Sequence, residues 1–358
     1  MWRLPGPSGP KIKKTDISRG GQRMKMTRRG GLSAAVIALA GIVAASPAAA
    51  QEKIKLTFST YWPTSYEYLY KPIEAFAEKV EKRTDGRVEI EIFHSAQLFG
   101  GKEEFGAVER GDVDMSAPLD IYHTGKVPAL GVSSLPFMWA SPAALQETLD
   151  AGLWDQGINQ ALAEHNMKVL NVAVGGPYQI YAKDFPVRQP ADLSGKKIAV
   201  SGTTASKAMQ LLDASPTTMS SGELYLALQR GTIDGTTRPL LTGLGRKLYE
   251  VLDHLTITNM AYFTTFLVIN QDKWESLPAD VQQVIQKAAD ERSADQLDRL
   301  QTFLDEAVTQ FEDKGVDVHQ PSAEQLRAFK DEMAPVYDWW TGEVDGAEKL
   351  IEFARENQ

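Results

Sequence analysis

The chain has 358 residues, 43% hydrophobic and 24% charged, which is enough to bury full cores in one or two domains. It contains no cysteine, so disulfides and thiolate metal sites are excluded. The net charge is −9, yet residues 1–50 hold nine Lys or Arg and one acid, Asp16, which leaves −17 on the remainder. Such a field repels phosphates and excludes nucleic acid as a partner.

The first fifty residues read as an export signal with an upstream extension. Arg28-Arg29 precede an apolar run from Leu32 to Ala45, followed by Ala48-Ala49-Ala50 as a small-residue cleavage site. The run is fourteen residues long, short of the ~20 needed to span a bilayer, so cleavage near Ala50 is expected rather than anchoring.

Lys53 to Ser59 alternates polar and apolar residues and predicts a strand. A loop through Tyr61, Trp62 and Tyr66 follows. Ile73, Phe76, Ala77 and Val80 then predict a helix over 72–83, and Val88 to Phe93 a second strand. Strand, helix, strand points to a right-handed βαβ unit. A helix over 102–110, stopped by Gly111, leads to a third strand at 113–117. Helices are expected over 142–149 and 153–165, with a strand over 167–173.

The most informative stretch runs from Leu193 to Leu241. It predicts strand, loop, helix and strand, with Ser220, Ser221 or Gly222 capping the helix and Gly231 ending it. Thr232-Ile233 begins the next strand and Asp234-Gly235 turns the chain. Beyond it, Trp274-Glu-Ser-Leu-Pro278 begins a long helix in which apolar residues recur from Val281 to Phe311 at three- and four-residue steps. About 35 residues of helix would reach roughly 50 Å, long enough to lie across two lobes. Two helices broken near Arg292-Ser293 fit the same pattern. A helix over 323–337 and a last short one to about Arg355 complete the chain. Without an internal repeat or a long linker, the lobes must be interleaved, the chain crossing near Gly175 and Phe263.

The residues Asp192-Leu193, Gly195, Lys197-Ile198, Val200, Pro216, Met219, Glu223, Tyr225, Ala227-Leu228-Gln229, Gly231, Asp234-Gly235 and Pro239 stand in one order. That order resembles the solute-binding proteins of tripartite ATP-independent periplasmic (TRAP) transporters, of the DctP type. Asp85-Gly-Arg-Val-Glu-Ile, Gln97-Leu, Gly111-Asp-Val-Asp-Met and Leu135-Pro-Phe-Met extend the resemblance over about 54–330. It implies an α/β, two-lobed periplasmic binding protein-like fold, each lobe a mixed sheet flanked by helices, with a long helix spanning both. The implied domains are 1–50 as signal, 51–175 plus 264–303 as the first lobe, and 176–263 plus 304–358 as the second.

Enzyme constellations are missing. There is no His-Glu-x-x-His, no Gly-x-Ser-x-Gly and no Walker A loop. Gly243-Leu-Gly245 lacks the third glycine of a dinucleotide loop and runs into Arg-Lys, and the five histidines are scattered. The chain is therefore expected to be a binding protein without cofactor or metal. Its candidate ligand residues are Tyr61, Trp62, Tyr66, Phe137, Trp139 and Tyr178, aromatic residues in loops after strand ends. The resemblance adds Asp120, Ser221 and Arg238. It also places the family's two carboxylate-gripping arginines on Tyr178 and Ala199, and its site asparagine on Arg238. The expected ligand is a small organic acid held by Arg238. An aromatic, neutral or amine solute, with Asp120 meeting the amine, is the alternative. The small Ser221 and Ala199 leave volume for a bulkier molecule. The implied setting is the periplasm, a monomer and a TRAP permease, with an ATP-driven importer as the rival.

Overall fold

The computed structural model describes residues 53–357. The signal expected over 1–50 lies outside them. In chain order the strands are β1 (Ile54–Ser59), β2 (Val88–Phe93), β3 (Met115–Ser116), β4 (Met167–Ala182), β5 (Lys197–Val200), β6 (Ser215–Thr218), β7 (Gly235–Pro239), β8 (His254–Thr256), β9 (Tyr262–Asn270) and β10 (Asp317–His319). The helices are α1 (Glu67–Arg83), α2 (Glu104–Arg110), α3 (Pro142–Asp150), α4 (Ile158–Ala163), α5 (Thr203–Leu211), α6 (Leu224–Gln229), α7 (Leu240–Gly245), α8 (Gln271–Ser276), α9 (Ala279–Asp290), α10 (Arg292–Asp313), α11 (Ala323–Met333), α12 (Pro335–Glu343) and α13 (Ala347–Glu356).

The same pattern occurs twice. β1 lies between β2 and β3, all parallel, and β9 runs antiparallel against β3. β5 lies between β6 and β7, all parallel, and β4 runs antiparallel against β7. Each half is thus a βαβαβ unit closed by one reversed strand, and its loops at the carboxyl ends of the parallel strands border a crevice.

β4 joins the halves. Met167 to Pro177 pairs with β9, and Tyr178 to Ala182 pairs with β7 and β8. Two register shifts, at Val169/Asn171 and Val174/Gly176, bend it between those roles. Gly175 has no side chain because a Cβ there would sit 2.0 Å from the Phe263 ring. The sequence predicts only the first seven residues of this sixteen-residue strand.

Four expectations need correction. The long helix from Trp274 is three helices, broken at Leu277-Pro278 and at Glu291, one residue from the Arg292-Ser293 break that the periodicity also allows. α10 still lies across the molecule. Its 22 residues span about 33 Å, packing on α1 and α3 at one end and on α7 and β10 at the other. Asp234-Gly235 is not a turn: Gly235 opens β7, while the Asp234 carboxylate accepts the Lys197 N–H. The loop expected after Val200 contains α5 and β6. Helix α1 also begins a turn before the predicted start and carries Pro72 inside it.

Candidate functional site

Arg238 lies on β7, opposite Gln179 of β4. Its side chain is 1% exposed and crosses the carboxyl ends of the neighbouring strands. Nη1 donates to the Thr237 carbonyl at 2.6 Å and the Ala199 carbonyl at 3.4 Å. Nη2 donates to the Met219 carbonyl at 2.8 Å and the Val200 carbonyl at 3.3 Å. Nε is buried without a partner. No carboxylate pairs with this guanidinium among the described residues. Four carbonyl dipoles offset only part of the cost of burying a full charge.

The loop after β1 supplies the facing wall. Tyr61, Tyr66 and Tyr68 are all buried. The Tyr61 hydroxyl lies 3.5 Å from that of Tyr122, which accepts the Ser221 backbone N–H at 3.0 Å. Ser221 Oγ is buried near the Tyr61 and Tyr66 hydroxyls but completes a hydrogen bond with neither. Tyr68 Oη also lacks a partner. Tyr178 donates to Ser201 Oγ at 3.1 Å and stands edge-on to Phe263. Burial pushes the Tyr61, Tyr68 and Tyr178 hydroxyls well above the usual phenol range, so they stay neutral. Glu104 fixes this wall from behind. Its carboxyl accepts the Tyr61 N–H, and burial pushes it well above the usual carboxylate range.

Arg246, just past α7, completes the cluster. Its guanidinium lies 5.3 Å from the Tyr66 ring centre and 5.9 Å from that of Tyr61, and its Nε donates to Tyr66 Oη at 3.1 Å. A cavity of about 20 Å³ opens between Tyr178, Ser201, Gly202, Ala205, Ile121, Ser134 and Ala261, room for one water. The volume expected from Ala199 and Ser221 is taken up: the Arg238 guanidinium rests on the Ala199 carbonyl, and Tyr122 meets Ser221.

The structure therefore brings Arg238, Tyr178, Tyr61, Tyr66 and Ser221 into one neighbourhood. Asp120 is fully buried, but its oxygens accept from Ile121 N, Ser133 Oγ, Thr264 N and Thr264 Oγ1. It ties the loop after β3 to β9, and burial lifts its pKa to about 6. Trp62 is wholly buried, and Trp139 donates to the Ser133 carbonyl at 3.0 Å. Phe137 lines a different hollow, with Lys330, Tyr337 and Arg355. Sequence reasoning missed Tyr68, Tyr122, Ser201 and Arg246. Tyr122 follows Asp120 by two positions in the same loop, and Arg246 follows the Gly243-Leu-Gly245 that fails as a dinucleotide loop.

The family described as bacterial extracellular solute-binding protein, family 7 (DctP), matches residues 58–343. The C4-dicarboxylate-binding periplasmic protein DctP of Rhodobacter capsulatus is 30% identical over 289 residues, 77% of this chain and 83% of that protein. A solute-binding protein of Chromohalobacter salexigens is 29% identical over 285 residues, covering 78% and 83%. The crystal structure of a TRAP periplasmic solute-binding protein from Chromohalobacter salexigens, with bound D-glucuronate, superposes with a TM-score of 0.79 at 27% identity, covering 85% of this chain and all of that one.

Proposed function

Because the chain belongs to the bacterial extracellular solute-binding proteins of family 7, whose relatives are transport receptors and not enzymes, we propose that it captures a small organic acid against Arg238 in the periplasm. One observation carries the choice of an acid: a guanidinium 1% exposed, with its Nε unspent and no carboxylate partner. An anionic oxygen supplies the charge that four carbonyls cannot. The relatives that bind D-glucuronate and C4-dicarboxylates support the same class.

The amine alternative is disfavoured by charge. Arg246 covers Tyr66 and Tyr61, the charge of Arg238 acts on the Tyr178 hydroxyl, and the Asp120 oxygens are already bonded. The tyrosine wall suits a solute with a ring or a flat apolar face. In this reading the lobes are 51–175 plus 264–303 and 176–263 plus 304–358, and β4 switches partners at Tyr178. The signal is removed near Ala50, and a monomer delivers the solute to TRAP membrane subunits rather than to an ATP-driven importer.

The test is calorimetric titration with D-glucuronate, succinate and pyroglutamate. Arg238→Ala is expected to cost about 2–5 kcal/mol of affinity for whichever acid binds. Arg238→Lys keeps the charge but loses the planar fork, so it should fall between. Unchanged affinity in Arg238→Ala would overturn the acid reading.

A further inference from the structure

The segment Gly245–Arg246 does more than border the cleft. It stands at the end of α7, in the half built on β7, and its hydrogen-bonding and ring contacts beyond that half are with Ser65, Tyr66 and Tyr61 of the loop after β1. Ser65 Oγ donates to the Gly245 carbonyl at 3.4 Å. A Cβ on Gly245 would stand 2.3 Å from the Tyr66 ring, so only glycine lets the helix end come this close. Arg246 then covers Tyr66 and Tyr61 and donates to Tyr66 Oη. No carboxylate pairs with Arg246 among the described residues; the groups acting on its charge are the phenols Tyr66, Tyr61 and Tyr122.

A surface arginine ordinarily stays hydrated, with little gained from one fixed geometry. Arg246 instead spends its guanidinium face on two aromatic rings across the boundary between the halves. Those rings are also the wall of the solute site. The contact can form only when the halves are together, and it breaks when they part.

We propose that Gly245 and Arg246 are an interlobe latch: Arg246 is a positioning residue that holds the cleft shut through Tyr61 and Tyr66 and so sets how long a captured solute stays. This rests on reading the cleft as the solute site. Its strength follows from its parts. A cation over aromatic rings and one hydrogen bond together shift a two-state equilibrium by about fivefold to thirtyfold. Closure then needs correspondingly less differential affinity from the solute.

The natural absence of cysteine allows a clean test. Lys82→Cys on α1 and Gln210→Cys on α5, both at exposed positions, carry a dye pair for single-molecule energy transfer in the mature chain. Arg246→Gln is expected to lower the closed fraction by about fivefold or more without any solute present. Tyr66→Phe keeps the ring, loses the acceptor and should give a smaller drop. Gly245→Ala should open the cleft with the charge intact, and Arg246→Lys should recover part of the closed fraction. With D-glucuronate, succinate or pyroglutamate as probe, Arg246→Gln should raise the dissociation rate and leave the association rate unchanged. An unchanged closed fraction in both Arg246→Gln and Gly245→Ala, each confirmed folded by thermal melting, would overturn the latch. Failure of all three acids to bind the wild type would count against the solute reading alone, because the latch is read without them.

Discussion

Buried titratable residues beside the cleft make its stability depend on pH in two opposing ways. Asp120 holds its proton up to about 6 because burial disfavours the carboxylate. Its folded pKa is raised, so its contribution is full below its unfolded value and is lost as pH climbs through about 6. The amount is about 3 kcal/mol. His123 packs between Phe105 and Phe266, and burial, with Lys126 nearby, lowers its pKa to about 3. Its folded pKa is depressed, so its contribution is full above the unfolded value and is lost as pH falls from about 6.5 towards 3. Between pH 4 and 6 the two offset each other; below 4 only the His123 loss continues. Glu104, whose carboxyl is also held well above the usual range by burial, adds a further loss as pH rises above about 4.5, so the melting temperature is expected to peak near pH 4–4.5 and to fall on either side. His123→Leu should move the acid limb to lower pH, as followed by calorimetric melting across the range. At this scale the sequence exposes chemistry but not partners. Arg238 is legible as a candidate because it stands where the resemblance expects an asparagine. That Asp120 is saturated by four donors depends on Ser133 and Thr264, which are distant in sequence and near only in the fold.

Among the elements, the break between α9 and α10 is held from inside. Arg292, the first residue of α10, is 2% exposed. It donates to Asn171 Oδ1, to the Thr265 carbonyl and hydroxyl, and to Gln296 Oε1. Burial lowers its pKa to about 9. Asn171 marks one register shift of β4, and Gln296 donates to Val174 at the other. Polar side chains at the start of α10 therefore grip the two irregular points of the shared strand. Arg292→Ala leaves several of these acceptors buried and unpaired, and should cost about 3–5 kcal/mol in urea unfolding. Arg292→Lys should recover only part of this, since an ammonium cannot reproduce the fork. Apolar periodicity finds these helices readily: the predicted stripe from Val281 to Phe311 is real and faces the core. It allows the Glu291 break without requiring it, because a kink of one residue hardly disturbs a three-and-four spacing. The first half of the Leu193–Leu241 stretch is misread for a related reason: β6 is four residues, mostly exposed, with a proline at its second position, and lacks an alternating signature.

For the molecule as a whole, a solute that bridges both halves stabilises the native state alone. At a hundredfold excess over its dissociation constant this adds about 2.7 kcal/mol, which should raise the melting temperature by roughly 4 °C. A scanning-fluorimetry panel of acids, aromatics and amines measures it, and a response confined to acids is the expected outcome. The two-lobed architecture and the transport role are legible at this scale because a motif spread over nearly fifty positions is hard to match by accident. The position of the boundary between the halves is less legible, since one continuous strand crosses it.

That shared strand has an evolutionary consequence. Since β4 contributes its first eleven residues to one half and its last five to the other, and β9 returns to the first, neither half is a single run of gene. A crossover between two such receptors cannot exchange a complete half in one event. New specificities on this scaffold should therefore accumulate as point changes in the residues around the crevice, and not by shuffling of modules.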